Sequence, residues 1–152
     1  MDNFDRHILS LLQKNGALSL AEISDKIGLS QTPCWRRIQQ LEQSGVIRKR
    51  VALLDSEKLN VGLTVFVNLK TNQHNAQWLD SVKDFAENAS EVTEFYRMSG
   101  ETDYLLKVLV PDMQAYDAFY KRLISQAGFS DVSSSFAMEQ MKYSTEIPLN
   151  YC

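Results

Sequence analysis

Residues 29–50 read LSQTPCWRRIQQLEQSGVIRKR and gather side chains suited to holding a polyanion. Within residues 31–50, five Lys/Arg stand against one acid, Glu42, in a chain whose net charge is −3. Arg donates two parallel hydrogen bonds to guanine or phosphate, Gln pairs with the adenine edge, and Thr meets a phosphate or a thymine methyl. Gln31, Thr32, Arg36, Arg37 and Gln40 supply these types, and Arg48, Lys49 and Arg50 follow on an extended stretch. A basic patch on an acidic chain points to a polyanion-binding face. The competing reading is an ordinary solvated helix face.

A second stretch, Ser99-Gly100-Glu101-Thr102-Asp103, carries different chemistry. Backbone N–H groups in a glycine turn can hold a carboxylate, and Asp103 with Thr102 can hold an ammonium. Such a loop suits a small amino acid. The competing reading is a β-hairpin in which Gly100 supplies only a positive φ.

Other constellations are missing from the sequence. His7 and His74 are far apart, and Ser133-Ser134-Ser135 has no histidine nearby. No phosphate loop, zinc spacing or nucleotide fingerprint occurs. An enzyme is not expected, nor a metal or cofactor. Cys34 and Cys152 form no framework, so reduced thiols are expected. Cys34 shares a helical stripe with Ile38 and Leu41 and reads as a small buried hydrophobe. Trp35, one step round, is expected to pack against a neighbouring helix; stacking on a base is the alternative that keeps it in the contact set.

The elements that position these groups follow from periodicity. Apolar Phe4, Ile8, Leu11 and Leu12 predict a helix over 5–14, closed by Asn15-Gly16 with the glycine left-handed. Ser19 with Glu22 forms a capping box for a helix over 20–26. Gly28-Leu29-Ser30 is a tight turn, and Ser30 caps a third helix over 31–44 that ends at Gly45. Helix, glycine turn, helix is the spacing of a helix-turn-helix, whose second helix meets base edges with its N-terminal residues.

Residues 51–60 predict a short strand and turn, taken as an ordered linker. Strands are then expected at 62–70, 91–98, 103–110 and 131–142, and helices at 75–89 and from Pro111 to Gln126. Trp78, Val82, Phe85, Ala86 and Ala89 are expected inward on the first of these helices, and Met113, Tyr116, Tyr120 and Leu123 on the second. The 103–110 run is nearly all apolar and should be central and covered on both faces. The order βαββαβ is a split, ferredoxin-like arrangement. Phe66 and Phe95 are left over on the face away from the helices, which predicts a second sheet docking there and hence a homodimer. The fold class is α+β, with domains at 1–50 and 61–152 joined by 51–60. Residues 1–60 carry a net +2 and residues 61–152 a net −5, which places the basic chemistry in the first domain. With 44% hydrophobic residues and no apolar run of bilayer length, a soluble, cytoplasmic protein away from membranes is expected.

The motifs DRxILxxLQKNG (Asp5–Gly16), GLSxTPCxRR (Gly28–Arg37), LExxGVI (Leu41–Ile47), GETDY (Gly100–Tyr104) and SSFAMEQMK (Ser134–Lys142) together resemble the Lrp/AsnC family of feast-or-famine transcription regulators. The resemblance spans the whole chain. It implies a winged helix-turn-helix joined to a RAM/ACT-like effector domain, dimers that assemble to octamers, and a small amino acid bound between dimers. Carried over by position, Ser30, Gln31, Thr32, Arg36 and Arg37 contact double-stranded DNA. Gly100, Glu101, Thr102, Asp103 and Tyr104, with Ser134 on the partner side, hold the effector. The tail SSFAMEQMKYSTEIPL resembles a branch linked to cysteine handling, which makes cysteine an expected effector. A dimer would present its two reading helices about 34–36 Å apart, to a roughly palindromic operator. Two alternatives stand beside this reading. One is an architectural, nucleoid-type DNA binder indifferent to amino acids. The other is a small-molecule-binding ferredoxin-like protein without a DNA role.

Overall fold

A computed structural model describes residues 1–126 and 128–152. The chain forms two compact units. The first contains Met1–Leu53 together with Lys142–Cys152, and the second contains Leu54–Met141. The C-terminal segment therefore belongs with the N-terminal helices, although the sequence assigned it to the second domain.

The first unit holds α1 (Asn3–Lys14), α2 (Leu20–Ile27) and α3 (Gln31–Gln43). Ile8, Leu9, Ile23, Ile27, Cys34, Ile38 and Leu41 form its core. The Cys34 thiol is pushed up by burial, so it packs as an apolar group. Gly28 at φ 70° lets the chain turn from α2 into α3, a conformation that would strain any side chain. Gly45 at φ 76° follows the end of α3 in the same way. Three local expectations are corrected. α1 ends at an extended Asn15, and Gly16 is not left-handed. Asn15 Oδ1 instead accepts from the Ala17 N–H. Phe4 stays 38% exposed outside the core, lying against the Arg37 guanidinium 5.3 Å from its ring centre. No strand forms over 51–60, where turns occupy 56–60.

The second unit runs β1 (Leu63–Thr71), α4 (Ala76–Asn88), β2 (Val92–Arg97), β3 (Tyr104–Val110), α5 (Met113–Gln126), β4 (Phe129–Phe136). The order is the expected βαββαβ. The four strands form one antiparallel sheet in the order β2-β3-β1-β4. Alternation puts Val65, Val67 and Leu69 of β1 and Leu106, Val108 and Val110 of β3 under the helices, all fully buried or nearly so. Trp78, Val82 and Ala86 of α4 and Tyr116, Phe119 and Leu123 of α5 cover them.

Register corrects several side-chain assignments. Phe95 pairs with Leu106 and so points to the helix-covered face, packing on Tyr104 with ring centres 5.7 Å apart. The β-bulge between Val92 and Glu94 shifts the alternation by one, which a regular count could not anticipate. Tyr96 takes the open-face position instead. Its hydroxyl donates to Glu94 at 2.5 Å, and Lys107 pairs with the same carboxylate at 2.9 Å. Phe66 does lie on the open face, opposite Lys107. β3 is central, but in one chain only one of its faces is covered, since Leu105, Lys107 and Leu109 are half-exposed. On α5, Tyr116 and Leu123 are buried as expected and Phe119 joins them, whereas Tyr120 is half-buried and Met113 is exposed. β4 starts at Phe129 and stops at Phe136 rather than running 131–142.

Candidate nucleic-acid interface and effector loop

The three helices of the first unit begin differently. Asp2 caps α1, with Asp5 reaching back to close a capping box. Ser19 and Glu22 do the same for α2. Hydrogen bonds from the Asp5 backbone hold the Asp2 carboxyl below its ordinary range, with Arg37 assisting. Those from Ser19 lower Glu22. α3 has neither device. Ser30 occupies its N-cap position with extended backbone, but its hydroxyl makes no cap bond, contrary to expectation, and the first turn carries no acid. The N–H groups of Gln31 and Thr32 are left pointing along the axis. Uncapped N–H groups and the helix dipole together attract an anion.

Cys34, Ile38 and Leu41 face the core, so Thr32, Arg36 and Gln40 fall on the outward side, all exposed. Gln43 shares that side at helical spacing and was missed by the sequence reading, which stopped at Gln40. Trp35 is 52% exposed and stands outside the core cluster of the three helices. Among the described residues, the side chains of Arg36, Arg48 and Lys49 have no ion-pair partner. The other two basic residues are engaged. Arg37 pairs with both Asp2 and Asp5 at 2.8 Å, which ties α3 to the start of α1 and raises its own pKa. Arg50 pairs with Glu42 at 3.1 Å. Arg48–Arg50 form no strand, so this part of the wing is irregular.

The loop Gly100–Asp103 joins β2 to β3 at the end of the sheet. Gly100 sits at φ 111° with nothing near the position of a Cβ, so backbone conformation, not space, calls for glycine. Asp103 stitches the loop to β1. Its carboxylate accepts from the Thr71 N–H at 2.9 Å, and its own N–H donates to the Leu69 carbonyl at 3.0 Å. Tyr104 is a core residue against Trp78, with ring centres 5.4 Å apart. Glu101 is exposed, and the N–H groups of Gly100, Glu101 and Thr102 have no backbone acceptor among the described residues. Ser134 is not brought to the loop within one chain. It pairs with Val67 across β1, under the helices, and its hydroxyl bonds to that of Tyr116. Thr71, buried at the Asp103 contact, carries no motif that would single it out in the sequence.

Residues 1–48 match the model of a winged helix-turn-helix DNA-binding domain, and residues 64–147 that of the Lrp/AsnC ligand binding domain. The DNA-binding transcriptional activator DecR of Escherichia coli is 47% identical over 150 residues, spanning 98% of this chain and 99% of its own. An AsnC family transcriptional regulator from Agrobacterium tumefaciens superposes with a TM-score of 0.95 at 56% identity, over 99% of both chains. A transcriptional regulator from Neisseria meningitidis, solved with L-Met, superposes at 0.94 with 36% identity, over 99% of this chain and 98% of that one. No helix among the described residues is long and apolar enough to cross a membrane. The chain is a member of the Lrp/AsnC family of DNA-binding transcription regulators, with a helix-turn-helix followed by a ligand-binding domain.

Proposed function

We propose that this regulator reads a roughly palindromic operator with α3 and adjusts its DNA binding or assembly to a small amino acid held at the Gly100–Asp103 loop. The observation that carries the DNA reading is the uncapped, acid-free start of α3 beside exposed Gln31, Thr32, Arg36 and Gln40. Ser30 adds a free hydroxyl, and Trp35 an exposed ring at the flank. Arg36, Arg48 and Lys49 contact phosphates directly. Arg37 and Arg50 act while holding their intramolecular partners, and so contribute less.

For the effector, the loop's open N–H groups hold the carboxylate, while Glu101 and Asp103 hold the ammonium. Cysteine is the first candidate from the tail resemblance, and methionine the second, from the L-Met complex of the Neisseria relative. Tyr104 shapes the loop from beneath, and Ser134 joins only by way of a neighbouring subunit. The open sheet face bearing Phe66, Tyr96, Leu105 and Leu109 pairs two chains, dimers assemble to octamers, and the protein works in the cytoplasm. Several docked dimers engage several sites, which raises avidity.

A thermal-shift screen against the twenty amino acids tests the effector. A ligand at a hundred times its Kd stabilises the folded state by about 2.7 kcal/mol. A selective shift with cysteine or methionine is expected. No shift with any of the twenty would overturn the amino-acid reading and leave an architectural DNA binder.

A further inference from the structure

The chain enters the first compact unit twice, once from its N-terminus and again at Lys142. Residues 142–152 have no regular secondary structure, and all are exposed except Leu149, which is half-buried. Leu149 packs on the cluster that holds the three helices together, alongside Leu11 and Leu12. Two residues earlier, the backbone of Ile147 makes a two-way bond with one side chain of α1. Its N–H donates to Gln13 Oε1 at 2.7 Å, and its carbonyl accepts from Gln13 Nε2 at 3.2 Å. A side-chain amide that satisfies both polar groups of one residue mimics a strand partner and fixes the register of the tail.

Gln13 lies in the last turn of α1. At the opposite end of the same helix, Asp2 and Asp5 grip Arg37 of α3. One rigid helix thus connects the tail to the helix proposed to read DNA. The tail also continues directly from the sheet unit, because only Ala137–Met141 separate it from the end of β4. Met138 and Met141 in that connection are almost fully exposed.

We propose that Lys142–Cys152 is a strap through which the sheet unit governs the order of α3, gripping α1 at Gln13 while α1 grips α3 through Arg37. The proposal rests on the regulator reading above for its biological meaning. Among the described residues the strap is held by two side-chain hydrogen bonds and one packed apolar side chain, so it belongs to the part of the fold that opens locally at low cost. An element with two such states can carry coupling, provided the effector favours one of them.

Hydrogen exchange on the full-length protein tests this without a known operator or effector. In the wild type the Ile147 amide should be protected. Gln13→Ala removes both bonds, and Leu149→Ala removes the apolar anchor from the tail side. Each should speed exchange of the Ile147 amide at least tenfold. Each should also speed exchange through residues 34–38 of α3 several-fold, with helical content retained. Exchange at Ile147 as fast in the wild type as in an unstructured peptide overturns the strap. So does a released tail with α3 unchanged in both variants.

The functional arm uses a duplex selected by the wild-type protein from a random pool, titrated with and without L-cysteine or L-methionine. The variants should lose most of the amino-acid dependence seen in the wild type. A full response in both variants overturns the coupling. Failure of the wild type to select any duplex refutes the regulator reading instead, and the exchange data then decide the strap alone.

Discussion

The outward face of α3 and the Gly100–Asp103 loop are both sites of exposed polar residues, yet they are built in opposite ways. On α3 the outward groups carry little structural duty: among the described residues the side chains of Thr32, Arg36 and Gln40 make no hydrogen bond or ion pair, and the helix start is uncapped. In the loop the motif residues are part of the scaffold. Asp103 secures Thr71 and Leu69, and Tyr104 fills the core. Under the function proposed above, side chains free to reach suit a surface that chooses among DNA sequences, and a loop fixed in advance suits the sensing of one small molecule. Substitution should therefore separate binding from stability on α3 and confound them in the loop.

The largest effect is expected at Tyr104→Ala, which empties an aromatic site between Trp78 and Phe95. Chemical denaturation should show a loss of about 3–5 kcal/mol from the sheet unit. Asp103→Ala comes next. It leaves the Thr71 N–H without its acceptor and should cost about 1–3 kcal/mol, along with the response to amino acids. A mutant with full stability and full response would show that the loop is neither scaffold nor sensor.

Arg36→Ala should leave the denaturation midpoint within about 0.5 kcal/mol of the wild type and weaken DNA binding. Arg37→Ala should weaken DNA binding less and, unlike Arg36→Ala, lower the midpoint by loosening α3 from α1; an unchanged midpoint would make the pairing of Arg37 with Asp2 and Asp5 a surface contact of no consequence. The smallest effect is with pH. The Asp2 and Glu22 carboxyls are lowered in the folded state, chiefly by backbone hydrogen bonds. Their contribution is complete above the unfolded carboxylate range and is lost as pH falls through the lowered folded values. The helical unit should therefore begin to lose stability below about pH 4. Asp2→Asn should flatten that dependence in an acid titration followed by circular dichroism.

The fold was legible because helix and strand periods differ. The 3.6 spacing of Cys34, Ile38 and Leu41 and the alternation of Val65, Val67 and Leu69 each identify a buried face directly. The βαββαβ order followed from counting. What escaped the sequence depended on partners distant along the chain. Asp2 and Asp5 claim Arg37 across about thirty residues, and Gln13 meets Ile147 from the other end of the chain. Phe95 changed faces because a bulge shifted its register. Ser30 was expected to cap α3 from residue type alone, but a hydroxyl's direction is set by the turn around it. Asp103 stood out in the sequence by its loop, while its bond to Thr71 could not be read from the motif.

The central claim is that the unengaged groups of α3 form the DNA-reading surface. The most direct test compares Arg36→Ala with the wild type on a selected duplex over a range of salt concentrations, with the fold of both verified by denaturation. Arg36→Ala should lose about ten- to a hundredfold in affinity, or about 1–3 kcal/mol. Because Arg36 is assigned to phosphate, the salt slope should also fall by about one. Wild-type affinity and an unaltered salt slope in a correctly folded Arg36→Ala protein would contradict the claim.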